Sequence, residues 1–452
     1  MGDTQKKWTI PGGLPVCLAF TGFLLNLIAY YPGFMSPDSL DIYGQSLSHH
    51  YTDWHPPLMA WFWSLLNNIY RGPQGMLIFQ LGLLWTGFYF LSTGWFSSRR
   101  SYLYLFTGLL IAPFVQNFAG YIIKDAQMAL SWFLSFSIIA KADYRNRRMT
   151  VAEAVISFLL ILYGTLIRIN ALPGALPLVY YWSANYLPWS NRRAAMAVVL
   201  AIFMLLVVGC QSFLTSLLTP QKKYAEYKLY LHDLAGIYVK TGKSYWPSFI
   251  SQSPGFDSVY LKSHYTPATL DNLFWNEENK ISFPPLNDSL SPIVRQAWMK
   301  SITENPGVYL LNRWDGFLYY LRIKKRTWIV TLHAEISPND YGLHFEGNFI
   351  SAIFLKIIKL QKGLPYMRPW FWLIVNLITL VTGFYIHSKA IKKIVWILSL
   401  SSLLYLVPQF FIFQVDTDFR YFYWNCVSLF VCIYFLWENR RSKAPVILRE
   451  KI

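Results

Sequence analysis

Apolar residues in this chain come in blocks of about twenty, parted by short polar stretches that hold many of its basic side chains. A helix of about twenty residues crosses roughly 30 Å of hydrocarbon, so the pattern predicts a polytopic, all-α membrane protein. The predicted helices lie at about 13–31, 75–96, 102–118, 121–140, 151–168, 171–186, 194–217, 368–387, 394–413 and 421–437. Lys6 and Lys7 precede the first. Arg99 and Arg100 follow the second, and Lys141, Arg145, Arg147 and Arg148 follow the fourth. Arg192 and Arg193 follow the sixth, Lys389, Lys392 and Lys393 the eighth, and Arg440, Arg441 and Lys443 the tenth. Short loops rich in Lys and Arg stay in the cytoplasm. Ten crossings with a cytoplasmic N-terminus put every one of these clusters on that side, and one helix more or fewer breaks the alternation.

The same alternation places five regions outside: 32–74, the turns near 119–124 and 168–170, the long stretch 218–366, and Asp416–Arg420. Residues 218–366 are too polar to cross and mix Trp, Tyr, Pro and charge, which predicts a small folded extracytoplasmic domain of mixed or mainly helical structure. Within it, 284–302 reads as a loop then a helix, and 304–323 as a Pro-started amphipathic helix. Residues 350–363 read as a Lys-bearing amphipathic helix lying flat at a membrane surface. The chain thus divides into a seven-helix module (1–217), the outer domain (218–366) and a three-helix module (367–452).

Composition narrows the class. Only 14% of the 452 residues are charged and 54% are hydrophobic, against about a quarter charged in soluble domains. The net charge of +17 is split among loops, with no reading motif for nucleic acid; it fits cytoplasmic loop charge and attraction to anionic lipids or lipid phosphates. Cys17, Cys210, Cys426 and Cys432 all sit in apolar stretches, with neither disulfide nor metal spacing. The first apolar segment has no small-residue cleavage site and reads as a retained helix.

The chemistry concentrates in 31–63. Carboxylates and imidazoles beside a membrane segment are costly unless they face water or act. Ser36, Pro37 and Asp38 form a helix start: cap, first helical position, acid in the first turn. Helix from there sets Asp38 and Asp41 on one face. His49, His50 and Asp53 read as a wet turn, whereas His55 stands where Pro56 and Pro57 send the chain back toward the membrane. The histidine spacing matches no metal site.

With SPDS at 36–39, WHPPLMAWFW at 54–63, IIKDAQMA at 122–129, RIN at 168–170 and DFRYFYW at 418–424, the chain resembles the GT-C superfamily of integral membrane glycosyltransferases. The likeness is to bacterial members that use a polyprenyl-phosphate sugar, relatives of protein O-mannosyltransferases, of the lipid A aminoarabinose transferase and of O-antigen-modifying glucosyltransferases. It covers most of the membrane part and none of 218–366. It implies inverting transfer from a polyprenyl-phosphate-linked sugar to an envelope glycan, such as an O-antigen or a lipid-linked repeat unit. The reaction needs no metal or other cofactor and takes place on the outer face of a bacterial inner membrane. A donor synthase and a flippase are implied as partners. Asp38 matches the position of the loop carboxylate that takes the acceptor proton or orients the acceptor; many relatives carry a second adjacent acid where this chain has Ser39, so that Asp41 is the second carboxylate or there is none. A carboxylate near anionic lipid is expected to have a raised pKa, useful in a base. Lys124, Arg168 and Arg420 are the expected phosphate-binding cations, with Trp54, His55, Asp125 and Tyr421 toward sugar or acceptor. The aminoarabinose transferases have Glu-Lys where this chain has Trp54-His55. A transporter or flippase of lipid-linked saccharides is the alternative, and a non-catalytic scaffold the third reading. Transporters often show two related halves, and none is visible here.

Overall fold

The structure, a computed structural model, describes residues 13–95, 99–168, 170–188, 193–219, 222–274, 281, 283–325, 333–411 and 418–443. Lys6, Lys7, Arg192 and Asp416 lie outside them. Every named element is helical, and among the described residues strand pairing is limited to isolated bridges. The N-terminal part holds α1 (Gly13–Tyr30), α2 (Pro37–Ser48), α3 (Leu58–Asn67), α4 (Gln74–Trp95), α5 (Arg99–Ile111), α6 (Pro113–Ala119), α7 (Lys124–Tyr144), α8 (Val151–Leu166), α9 (Leu172–Tyr186) and α10 (Arg193–Leu218). The middle region adds α11 (Glu226–Thr241), α12 (Ser248–Ser251), α13 (Ser258–His264), α14 (Asp271–Phe274), α15 (Ser291–Glu304), α16 (Pro306–Tyr320) and α17 (Phe349–Gln361). The chain ends with α18 (Pro369–Tyr385), α19 (Lys389–Phe411) and α20 (Tyr423–Lys443).

Each of the ten predicted membrane segments falls on helix. Among the described residues, five stretches are long and apolar enough to cross a bilayer: α1, most of α4, α10, α19 and 419–438, which runs into α20. The pair α5 and α6, bent by 60° between them, would add a sixth if the two form one span. That bend departs from the straight helix expected over 102–118. Pro113 has no N–H to donate and drives Ala112 out of helical geometry (φ −65°, ψ 114°). Helices α8 and α18 are apolar but shorter. Helix α7 is of another kind. It packs against α4, α8, α9 and α20, and every residue from 124 to 140 is buried. A helix enclosed all round has no lipid-facing stripe, so Ser131, Ser135 and Ser137 are tolerated there.

The two ends of α7 define the two ends of the bundle, about 30 Å apart for 21 residues. At its C-terminal end Asp143 accepts from Lys393 Nζ at 2.7 Å and from the Tyr181 hydroxyl at 2.9 Å. Arg145 donates to Thr93 O, and Ser101 donates to Glu438. The basic segments after α4, α7 and α18 therefore converge there. Lys124, at the other end, belongs to the candidate site.

The first part of the middle region builds a core of its own from Tyr227, Leu231, Leu234, Trp246, Ile250, Leu261 and Val294. A buried pair clasps it: Asp233 on α11 accepts from Arg313 on α16 and from Trp298 Nε1 of α15 at 2.8 Å. Tyr320, Leu321, Phe354 and Ile358, further along, join the core of the bundle instead.

Candidate active site

Backbone pairing fixes the position of the loop that carries Asp38. Gly33 takes φ +118°, a conformation glycine adopts freely, and turns the chain off α1. Phe34 N–H then donates to Gly120 O (2.8 Å) and Phe34 O accepts from Ile122 N–H (2.9 Å). Met35 pairs on the other side, with Glu335 O at 3.1 Å and Ser337 N–H at 2.9 Å. Three segments distant in sequence are thus stitched together just ahead of α2 and α7. Helix α2 starts as expected: Ser36 caps it in a reciprocal box with Ser39, and Pro37 takes the first position.

Asp38 leaves the first turn of α2 toward a cluster of cations. Arg420 Nη2 donates to it at 2.8 Å. His55 Nε2 lies 3.8 Å from its other oxygen. His55 Nδ1 is 2.5 Å from Lys124 Nζ. With Lys124 donating to Nδ1, Nε2 carries the imidazole hydrogen, and this buried atom has no hydrogen-bond acceptor in the protein. Arg168 pairs with Asp125 at 2.9 Å and lies over the Tyr421 ring, 4.7 Å from its centroid. Tyr421 links the two arginines, for its hydroxyl also accepts from Arg420 Nη2 at 3.3 Å.

The electrostatics reverse one expectation. Burial raises the Asp38 carboxyl, but Arg420, His55 and Lys124 together outweigh it, and Asp38 is held well below the ordinary carboxylate range. The raised value expected from a nearby anionic surface is overturned by cations the sequence could not place beside it. Asp41 behaves the other way: burial, joined by the charge of Asp38, lifts it despite a hydrogen bond from Gln45 Nε2 (2.8 Å). Burial, reinforced by Lys124, pushes His55 down to about 3, so its imidazole is neutral at ordinary pH.

Of the residues singled out from sequence, Asp38, His55, Lys124, Asp125, Arg168, Arg420 and Tyr421 come together. Asp41 lies at the rim beside them, partly open to solvent. Trp54 stands at the edge, the Lys228 ammonium 4.2 Å from its ring centroid. Three neighbours were not singled out. Asp418 lies 3.3 Å from Arg420 Nε, and Tyr121 accepts from Arg420 Nη1 at 3.4 Å. His333 lies 3.8 Å from Asp418. Asp418 sits inside the DFRYFYW motif and Tyr121 directly before IIKDAQMA; His333 has no sequence signal. Among the described residues no group of His, Cys, Asp and Glu converges as a metal site.

A cavity of about 240 Å3 opens next to His55, between the Pro56-Pro57 turn, the end of α8 and α10. Leu58, Leu166 and Leu214 make its walls apolar, while His55, Asp53 and Gln211 make one part polar. The neighbouring surface of α10 exposes Leu205, Phe213 and Leu217. No protein-family model, curated protein or solved structure matches this chain.

Proposed function

We propose that the chain is a GT-C-type glycosyltransferase that moves a sugar from a polyprenyl-phosphate donor to an envelope glycan on the extracytoplasmic side of a bacterial inner membrane. In this reading it has ten crossings and cytoplasmic termini. One observation carries the reading: a carboxylate, three cations and an apolar-walled cavity meet at one end of a helical membrane bundle.

The acceptor hydroxyl oxygen attacks the anomeric carbon on the face opposite the phosphate. The bond from that carbon to the phosphate oxygen breaks, the configuration inverts, and the hydroxyl proton passes to Asp38. The donor phosphodiester carries one negative charge and the departing polyprenyl phosphate two, so the site must stabilise charge that grows as the bond breaks. Arg420 supplies fixed positive charge, and Lys124 Nζ and His55 Nε2–H supply further donors. Arg168, already paired with Asp125, shapes the field from behind.

The pairing of Asp38 with Arg420 gives the base a way to be switched on. A donor phosphate competes for the Arg420 fork, which suits phosphate bidentately. As Arg420 turns to the phosphate, Asp38 loses its strongest cationic partner and its proton affinity climbs, when a base is needed. The apolar cavity beside His55 suits the first isoprene units, with the rest of the chain along α10.

The test is transfer from radiolabelled polyprenyl-phosphate sugars to an envelope glycan fraction by purified wild type and Asp38→Asn, with and without chelator. Transfer by wild type that is lost in the mutant and indifferent to chelator supports the reading. No transfer from any donor, while lipid-linked sugar still crosses liposomes, replaces it with transport.

A further inference from the structure

Arg420 is held from two sides. Asp38 takes one edge of its guanidinium, and the opposite side is set by Asp418 and Tyr121. Asp418 accepts from the Arg420 backbone N–H (3.3 Å) and lies 3.3 Å from its Nε. Tyr121 accepts from Nη1 at 3.4 Å. Behind both stands His333. Its Nε2 is 3.8 Å from Asp418, and its ring lies flat on Tyr121, centroids 4.2 Å apart and planes within 11°. His333 is itself anchored. Its backbone N–H donates to Asn117 at 3.3 Å, and two residues on Glu335 O accepts from Met35, at the foot of the Asp38 loop. The His333 and Asp418 side chains are 12% and 13% exposed, so this backing is screened from bulk water.

We propose that His333 is a positioning residue for Arg420: it orients the guanidinium through Asp418 and Tyr121, so that the fork can pass from Asp38 to an incoming phosphate. The inference rests on the donor-phosphate reading above. It assigns a role to the 333–337 segment, which the sequence showed only as part of a polar domain. A buried carboxylate with no second partner would pull Arg420 toward itself. With His333 sharing Asp418, the outer edge of Arg420 stays available. Tyr121, fixed by the stack, limits the swing of the guanidinium.

The experiment is a double-mutant cycle in the full chain in nanodiscs, reading affinity for polyprenyl phosphate (the headgroup without a sugar) by tryptophan quenching, and donor KM and kcat separately. His333→Ala is expected to weaken polyprenyl phosphate about tenfold, the middle of the range for side chains coupled in one network. It should raise donor KM more than it lowers kcat. Added to Arg420→Lys, it should cost nothing further, because the residue it orients has lost its fork. His333→Phe keeps the stack on Tyr121 without the nitrogen facing Asp418, and His333→Gln keeps a polar group there; each should restore part of the affinity. Thermal melting separates these effects from misfolding, and the two milder variants carry the test if His333→Ala fails to fold. Additive losses in the cycle, or wild-type affinity in all three variants, overturn the positioning role while the glycosyltransferase reading stands. No binding of polyprenyl phosphate by wild type overturns both.

Discussion

Two of the carboxylate–arginine pairs in this molecule are built to opposite ends. Asp233 and Arg313 are each 1% exposed. They join three helices of the middle region, and Trp298 gives the carboxylate a second donor. Asp38 and Arg420 meet at 2.8 Å with the carboxylate 32% exposed. Their neighbours are other ionisable groups, His55, Lys124 and Asp418, rather than apolar walls. Each pair has a neutral histidine beside it. His232 is spent on the Thr266 carbonyl at 3.0 Å. His55 Nε2 has no acceptor in the protein. A pair shut off from solvent only holds structure together. A pair left open on one side, with a donor still to be used, can exchange partners, and that difference marks the second as the site.

The largest effect that separates them is on turnover. Under the proposed reaction, Asp38→Asn should lower kcat by about 10²–10⁴, the usual contribution of general base catalysis. It should lower melting only modestly, since Arg420 keeps Asp418 and Tyr121. Asp41→Asn is the control; a larger kcat loss there than at Asp38 would move the base to Asp41. At the closed pair the pattern inverts. Asp233→Ala should destabilise the chain by about 3–5 kcal/mol, because it strands a buried guanidinium. The double variant Asp233→Leu/Arg313→Met should recover most of that loss, and activity per folded molecule should hold in both. Chemical unfolding followed by tryptophan fluorescence checks the first claim; active-site-normalised transfer checks the second.

A smaller effect is expected on donor affinity. Arg420→Ala should weaken donor binding about a hundredfold, or roughly 2.7 kcal/mol. Arg420→Lys keeps the charge but loses the fork and should cost about tenfold. Equal affinity in wild type and both variants would remove Arg420 from the phosphate site.

The contrast also shows how far sequence reaches. Blocks of about twenty apolar residues exposed the helices, because crossing lipid demands them. Pro37 and Pro306 were read as helix starts, whereas the break that Pro113 makes inside a predicted span was not. The cations of the site were legible one at a time, since each stands at the end of an apolar block. Their pairing was not. Asp38 meets Arg420 from the opposite end of the chain, so its carboxyl is driven down where sequence alone suggested a rise. His333 was invisible altogether, because it acts through a stack and a shared carboxylate that exist only after folding. The amphipathic stretches at 304–323 and 350–363 were recognised as helices, but the periodicity that revealed them does not say what their apolar faces cover. Tyr320 and Phe354 turn out to join the bundle core.

The smallest effect is on pH, and it tests both regions together. Burial holds His55 down to about 3 and His232 to about 4, against an ordinary value of about 6.5. From pH 6.5 downward the unfolded chain therefore takes up protons at these two positions that the folded chain refuses. Stability must rise with pH across that window and fall as pH drops through it, by at most about 1.4 kcal/mol per unit for each histidine. Asp38 works in the same direction but lower. Its contribution is complete above the ordinary carboxylate value of about 4 and fades only below it. Melting of the chain in nanodiscs between pH 4 and 7 should thus show an acid-sensitive slope. His55→Gln should halve it, and His55→Gln/His232→Gln should flatten it. Asp38→Asn should leave that slope alone, lower melting by the same modest amount throughout pH 4–7, and remove the further acid sensitivity below pH 4. A slope that survives the double variant would mean that groups elsewhere set the acid response, and that neither buried imidazole is held neutral by its surroundings.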